Sequence, residues 1–74
     1  MSENIEKIRK EGKRIMTVHY DNTGLQREYW LYDGTLYEIE TKGKTEKVEY
    51  GAIEDIKDAI QCAEDCDDVY VTLG

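Results

Sequence analysis

The sequence predicts a small α+β fold, an antiparallel sheet with two helices in the order α-β-β-β-β-α-β. Three observations predict it. Asp33-Gly34 separates two aromatic-rich runs, residues 27–32 and 35–40, and this dipeptide between β-forming residues indicates a two-residue hairpin turn. Apolar residues then recur at helical spacing over residues 52–66, and residues 69–73 alternate as a strand does. We expect a single domain over residues 1–74.

The hairpin turn predicts the register of the central strands, with Leu31 opposite Leu36 and Trp30 opposite Tyr37. A second turn at Lys42-Gly43 predicts a further strand, in which Val48 lies opposite Tyr37 and Lys47 lies opposite Glu38. The two registers agree on one apolar face, which collects Trp30, Tyr32, Tyr37, Ile39, Val48 and Tyr50. The other face is mostly polar and collects Arg27, Glu38, Glu40, Lys47 and Glu49, with Tyr29, Leu31 and Leu36 among them.

The N-terminal segment predicts a short helix over residues 2–11, capped by Ser2 and ended by Gly12. Met1, Ile5 and Ile8 share one side of it and need a surface to pack on; a basic arm is the alternative. Residues 13–20 predict the first strand. The loop after it leaves the register open, but a five-residue loop, which sets Met16 opposite Trp30 and Val18 opposite Glu28, places these side chains on the apolar face.

The second helix should cover the aromatic face of the sheet with its apolar stripe, which consists of Ala52, Ile53, Ile56, Ala59, Ile60 and Ala63. The last strand can pair in parallel through a right-handed crossover, or antiparallel; the sequence leaves both open. The expected architecture is a sheet with its helices on one face.

The charge distribution indicates a protein-binding function. The net charge is −7, and residues 51–74 carry seven acidic side chains against one basic one. Such a surface repels DNA, RNA and anionic lipid and attracts basic protein surfaces, although an acidic surface also serves solubility alone. No apolar run is long enough to span a bilayer and no signal-peptide pattern is present, so a cytoplasmic location without membrane contact is expected.

Most of these carboxylates belong to the second helix. At 100° per residue, Glu54, Asp58, Gln61 and Asp65 follow one line. Carboxylates four residues apart on it are separated by about 6 Å along the axis, a spacing similar to that of phosphates along a nucleic-acid strand. Lys57 is the only basic residue of this helix. The predicted partner-binding residues, here termed the acidic pole, are Glu54, Asp55, Asp58, Glu64, Asp65, Asp67 and Asp68. A solvated helix face is the alternative interpretation.

A small, acidic, cysteine-poor chain with this charge pattern resembles the small phage proteins that disarm bacterial defence, among them anti-CRISPR proteins and other DNA mimics. The resemblance covers about a third of the chain and rests on the acidic pole and on size, without a sequence motif. It implies a non-enzymatic inhibitor that occupies the nucleic-acid-binding channel of a host nuclease. The alternative is a structural or regulatory interaction module, as a monomer or homodimer, that binds through a sheet edge or a Tyr29–Leu31–Leu36 patch.

Catalytic and metal-binding patterns are weak. Cys62 and Cys66 are four residues apart, which could supply one half of a zinc site, but His19 is the only histidine and lies in a distant strand. Asp65, Asp67 and Asp68 lack the spacing, glycine and closing glutamate of a calcium loop. A chain of this size has little room for a concave acid–base pocket. We therefore expect no enzyme activity, no cofactor and no metal.

Overall fold

The computed structural model describes residues 5–74. Their elements are α1 (Ile5–Glu11), β1 (Lys13–Tyr20), β2 (Leu25–Tyr32), β3 (Thr35–Lys42), β4 (Thr45–Tyr50), α2 (Ile53–Asp65) and β5 (Val69–Leu73). The predicted α+β fold and its element order are confirmed. The predicted roles of Met1 and Ser2 lie outside the described residues.

The five strands form one sheet in the order β4-β3-β2-β1-β5, and every neighbouring pair is antiparallel. Asp33 and Gly34 both have positive φ, 54° and 75°, as a type I′ turn requires. The predicted β2–β3 register is confirmed, with Trp30 opposite Tyr37. β5 pairs antiparallel with β1, and Val71 lies opposite Val18.

The predicted β3–β4 register is wrong by two residues. Lys42 pairs with Thr45, so the turn consists of Gly43 and Lys44, and Glu38 lies opposite Glu49 instead of Lys47. Gly43 takes the positive φ of 61° at the first turn position, where glycine meets no steric penalty. A shift of two residues preserves the alternation of side chains, so the two predicted faces of β3 and β4 are unchanged.

The loop between β1 and β2 has four residues instead of the preferred five. Tyr20 pairs with Leu25, and the Gly24 amide donates to the Tyr20 carbonyl over 3.0 Å. This register sets Met16 opposite Tyr29, not Trp30. Because side chains alternate along a strand, the change of one residue moves the apolar side of β1 to the Tyr29 face.

The helices lie on opposite faces of the sheet, so the predicted placement on one face is wrong. α2 packs on the face that carries Met16, Val18 and Tyr29, which together with Ala59 and Val69 form the main core cluster. It does not cover the Trp30 face. The Tyr29–Leu31–Leu36 patch is therefore absent as a free surface, since Tyr29 is 1% exposed and Leu36 packs against the same core.

α1 covers the opposite, aromatic face. Ile8 is buried on this side of the sheet, and Ile39 of β3 is buried there as well. Arg9 reaches from α1 to two carboxylates of the same face, Glu28 and Glu46. Neither helix of the described chain is long and apolar enough to cross a membrane.

Candidate acidic docking surface

The acidic pole lies on α2 and on the turn that follows it. Six of its seven side chains are exposed, and only Asp68 is half-buried. Glu54 and Asp55 occupy the first turn of α2, where the positive end of the helix dipole favours carboxylates. The last turn of α2 has no basic residue. The helix therefore presents negative charge along its whole length.

The carboxylates surround much of the helix instead of forming a single row. Glu54, Asp58 and Asp65 share one side, as predicted, and the Gln61 amide on the same line donates to Asp65 Oδ2 over 3.3 Å. Asp55 and Glu64 are nine residues apart, which is about 180° around the helix, so they lie on opposite sides. A partner would meet carboxylates over a broad part of the α2 surface.

The turn after α2 is connected to the loop between β1 and β2. The Asp68 carbonyl accepts a hydrogen bond from the Asp21 amide over 2.8 Å, and the Asp68 carboxylate accepts one from the side chain of Asn22. These bonds hold the turn in place and bring the exposed Asp21 beside Asp68. Asp21 thus extends the acidic surface beyond the predicted residues.

A cleft of about 500 Å³ lies between α2 and the part of the sheet formed by β2, β3 and β4. Its walls join Asp55 and Asp58 of α2 to the polar residues of the sheet, which are Tyr20, Arg27, Tyr29, Glu38, Glu40, Lys47 and Glu49. The sequence indicated that Glu38, Glu40 and Glu49 share a face. Their position next to α2 was missed because α2 was assigned to the other side of the sheet. The apolar Tyr29 and Leu36, which share a face with these carboxylates, were the sequence signal that a helix packs on this face.

The cleft is dominated by negative charge. Five carboxylates line it against two cationic side chains. Arg27 Nε lies 3.5 Å from Glu38 Oε2, and Lys47 Nζ lies 3.6 Å from Glu49 Oε2. Among the described residues, no carboxylate of the acidic pole forms an ion pair. Asp55 and Asp58 belong to both the cleft and the acidic pole, so the two surfaces adjoin, and together they are termed the acidic region.

Burial raises the pKa of two groups in the cleft. It raises the pKa of Glu38, and the charge of Arg27 opposes this effect only in part. Burial likewise raises the pKa of Tyr29, to which the adjacent Glu38 charge contributes. Both groups resist a further negative charge, which is the expected response where carboxylates are close together and partly desolvated.

The cysteines and the histidine do not form a common site. Cys62 Sγ lies 3.8 Å from Cys66 Sγ with both thiols free, and this contact raises the pKa of Cys66. His19 stacks on the ring of Tyr70 with 4.5 Å between the ring centroids. Within residues 5–74, no group of three or more potential ligands is arranged to hold a metal ion.

Comparison of the chain with known protein families, with curated proteins and with solved structures finds no significant match.

Proposed function

We propose that this chain is a non-enzymatic acidic protein that binds the basic, nucleic-acid-binding surface of another protein and inhibits that protein by occupying it. The observation that carries the proposal is the acidic region itself. Its carboxylates on α2 are exposed and have no ion-pair partner among the described residues. They adjoin the cleft carboxylates of β3 and β4.

The energetics favour a cationic partner. Carboxylates held close together repel one another, and an incoming guanidinium or ammonium group removes part of that repulsion. Lys57 is the only basic residue on α2, so the helix itself supplies little positive charge to offset its carboxylates. The field of such a region also accelerates association with a basic surface, at a rate that falls with ionic strength.

Nucleic-acid-binding proteins carry the required surface. They place arginine and lysine side chains to contact phosphate oxygens, and a carboxylate accepts the same charge-assisted hydrogen bonds from a guanidinium. The acidic region can therefore replace a short stretch of phosphates. The resemblance to anti-CRISPR proteins narrows the proposed partner to a nuclease of a CRISPR-type defence system in a bacterial host, and the proposed protein itself to a phage product acting in the cytoplasm.

The test is affinity capture with the full chain as immobilised bait in a nuclease-treated bacterial lysate. Bound proteins are displaced with duplex DNA or with RNA and, in parallel, with rising salt. We expect proteins that bind nucleic acid to be displaced by both treatments. A captured protein, once purified, should lose its binding to labelled DNA or RNA when the acidic protein is added.

Two charge-matched variants make the experiment decisive. Asp58→Lys/Asp65→Lys reverses two charges of the acidic pole and should abolish capture. Glu6→Lys/Glu11→Lys makes the same change in net charge on exposed residues of α1 and should leave capture intact. Equal capture by both variants, or a salt-resistant partner without affinity for nucleic acid, contradicts the proposal.

A further inference from the structure

β5 is one of the two outer strands of the sheet, and it lacks two of the features that protect a sheet edge, charged side chains and proline. Val69–Leu73 reads VYVTL, without a charge and without proline. The other outer strand, β4, carries Glu46, Lys47 and Glu49. Charged side chains on an edge strand prevent pairing with another chain, so β4 is protected and β5 is open to pairing.

The backbone of β5 shows which groups the open edge offers. The Asp68 carbonyl and the Gly74 amide both point to β1, where they bond to Asp21 and Ile15. Because the direction alternates along an antiparallel strand, Tyr70 and Thr72 also point to β1. Val69, Val71 and Leu73 therefore direct their amide and carbonyl groups outward, away from the sheet.

Large apolar side chains accompany this edge. Leu73 is 74% exposed and Tyr70 is 50% exposed, although both belong to a regular strand. Ile60 is exposed as well, and at 100° per residue it lies on the side of α2 away from Asp58 and the cleft. Since the cleft lies over β2, β3 and β4, this side of α2 is turned toward β5.

Charge decides which partner fits the edge. Asp67 and Asp68 lie at the start of β5, and at its other end the Arg14 guanidinium donates to the Gly74 carbonyl over 2.9 Å. An antiparallel copy of β5 brings the acidic end of each strand to the basic end of the other. The edge is thus complementary to itself, in backbone polarity as in charge.

We propose that two copies of this chain pair through β5, antiparallel about Val71, to form a continuous ten-stranded sheet. In this register Val71 faces its counterpart and Val69 faces Leu73 of the second copy, which yields about six new backbone hydrogen bonds. Asp68 of one copy lies opposite Gly74 and Arg14 of the other. The cleft, together with Glu54, Asp58 and Asp65 on the far side of α2, remains open in both copies, whereas Asp68 enters the interface.

The test is sedimentation equilibrium of the full chain over a concentration range of about 1 μM to 1 mM, which covers weak to moderate association. We expect a monomer–dimer equilibrium in this range. Leu73→Asp, which places a carboxylate opposite the apolar Val69 and next to the acidic start of β5 in the second copy, should weaken dimerisation by about tenfold or more. The matched control is Tyr50→Asp on β4, a residue that is 78% exposed, and it should leave the equilibrium unchanged.

A charge exchange identifies the register. Arg14→Glu should weaken the dimer, and Arg14→Glu/Asp68→Lys should restore it. Within one chain these residues lie at opposite ends of β5, so restoration reports a contact between copies. A monomer over the whole range overturns the proposal, as does equal weakening by Leu73→Asp and Tyr50→Asp. Neither outcome bears on capture of a basic partner, which is measured separately.

Discussion

Glu28 is the residue at which α1, β2 and the aromatic face meet. Its carboxylate is almost fully buried and accepts hydrogen bonds from Arg9 Nε, Gln26 Nε2 and Trp30 Nε1 over 3.3, 3.2 and 2.9 Å. A buried carboxylate is stable in a fold only when such donors replace its water. The predicted β2–β3 register sets Glu28 opposite Ile39, but it does not indicate which groups would donate hydrogen bonds to the Glu28 carboxylate.

Glu28→Ala should lower the free energy of unfolding by about 1–3 kcal/mol, because the indole N–H and Arg9 lose their acceptor in a partly buried environment. Urea unfolding followed by the fluorescence of Trp30 measures this. Glu49→Ala removes an exposed carboxylate and should change stability by less than about 0.5 kcal/mol. Equal losses in the two variants would show that the Glu28 network does not stabilise the fold.

Glu38 should make the stability of the protein depend on pH. Its folded-state pKa is raised above 4.5 by burial, so the folded chain holds this proton at pH values where the unfolded chain has released it. This contribution to stability is therefore lost as the pH rises from 4.5 through the raised pKa. Arg27, Tyr29, Asp55 and Glu49 are the charged or titratable neighbours that set its size.

Glu38→Gln removes the titrating group, and its unfolding free energy should fall less steeply with pH above 4.5 than that of the unmodified chain. Urea titrations at a series of pH values up to 7 give the comparison. Glu64→Gln, which removes one exposed carboxylate of α2, controls for the loss of a charge. A slope unchanged by Glu38→Gln but reduced by Glu64→Gln would assign the effect to net charge instead of burial.

At the scale of elements, the two helices divide the two faces of the sheet between them. α2 closes the larger core over Met16, Val18 and Tyr29, and the seven residues of α1 close the other face. A helix of this length is unstable by itself, so its structure depends on docking. Within α1, Ile8 is the residue that is buried against the sheet, with 2% of its surface exposed.

Ile8→Ala should therefore cost about 2–4 kcal/mol of unfolding free energy, the range for truncation of a buried branched side chain. Ile53→Ala on α2 removes the same atoms from an exposed position and should cost less than about 1 kcal/mol. Hydrogen exchange of the α1 amides should accelerate in the first variant only. Unchanged exchange in Ile8→Ala would mean that α1 does not depend on this contact.

At the scale of the whole molecule, folding concentrates negative charge. The chain has a net charge of −7, and the docking of α2 beside β3 and β4 brings two helix carboxylates to three from the sheet. Repulsion among them destabilises the folded state more than the unfolded chain, in which the same charges are farther apart.

The melting temperature should therefore rise by a few degrees as the salt concentration increases from about 0.01 M to about 0.15 M, over which the screening length falls from about 30 Å to about 8 Å. Asp55→Asn/Asp58→Asn should reduce this rise, and Glu6→Gln/Glu11→Gln should not. Thermal unfolding followed by circular dichroism provides the measurement. An equal response of the two variants to salt would place the repulsion outside the acidic region.

Local chemistry determined much of the structure from the sequence. Asp33-Gly34 determined the β2–β3 register because few residue pairs accept two consecutive positive φ angles. The spacing of apolar residues determined that α2 is a helix and β5 a strand. The exposure of the five acidic-pole residues of α2 also followed from the sequence, because charged side chains on the outer side of an amphipathic helix stay in water.

Only the tertiary structure decided which face each helix covers, and with that the acidic region. Both faces of the sheet carry apolar residues, so either could have accepted α2, and the choice depends on the free energy of packing the complete chain. A loop one residue shorter than expected moved Met16 to the Tyr29 face. That face then became the main core, and Glu38, Glu40 and Glu49 came to lie beside Asp55 and Asp58. Contacts between residues so distant in the chain have no local signal in the sequence.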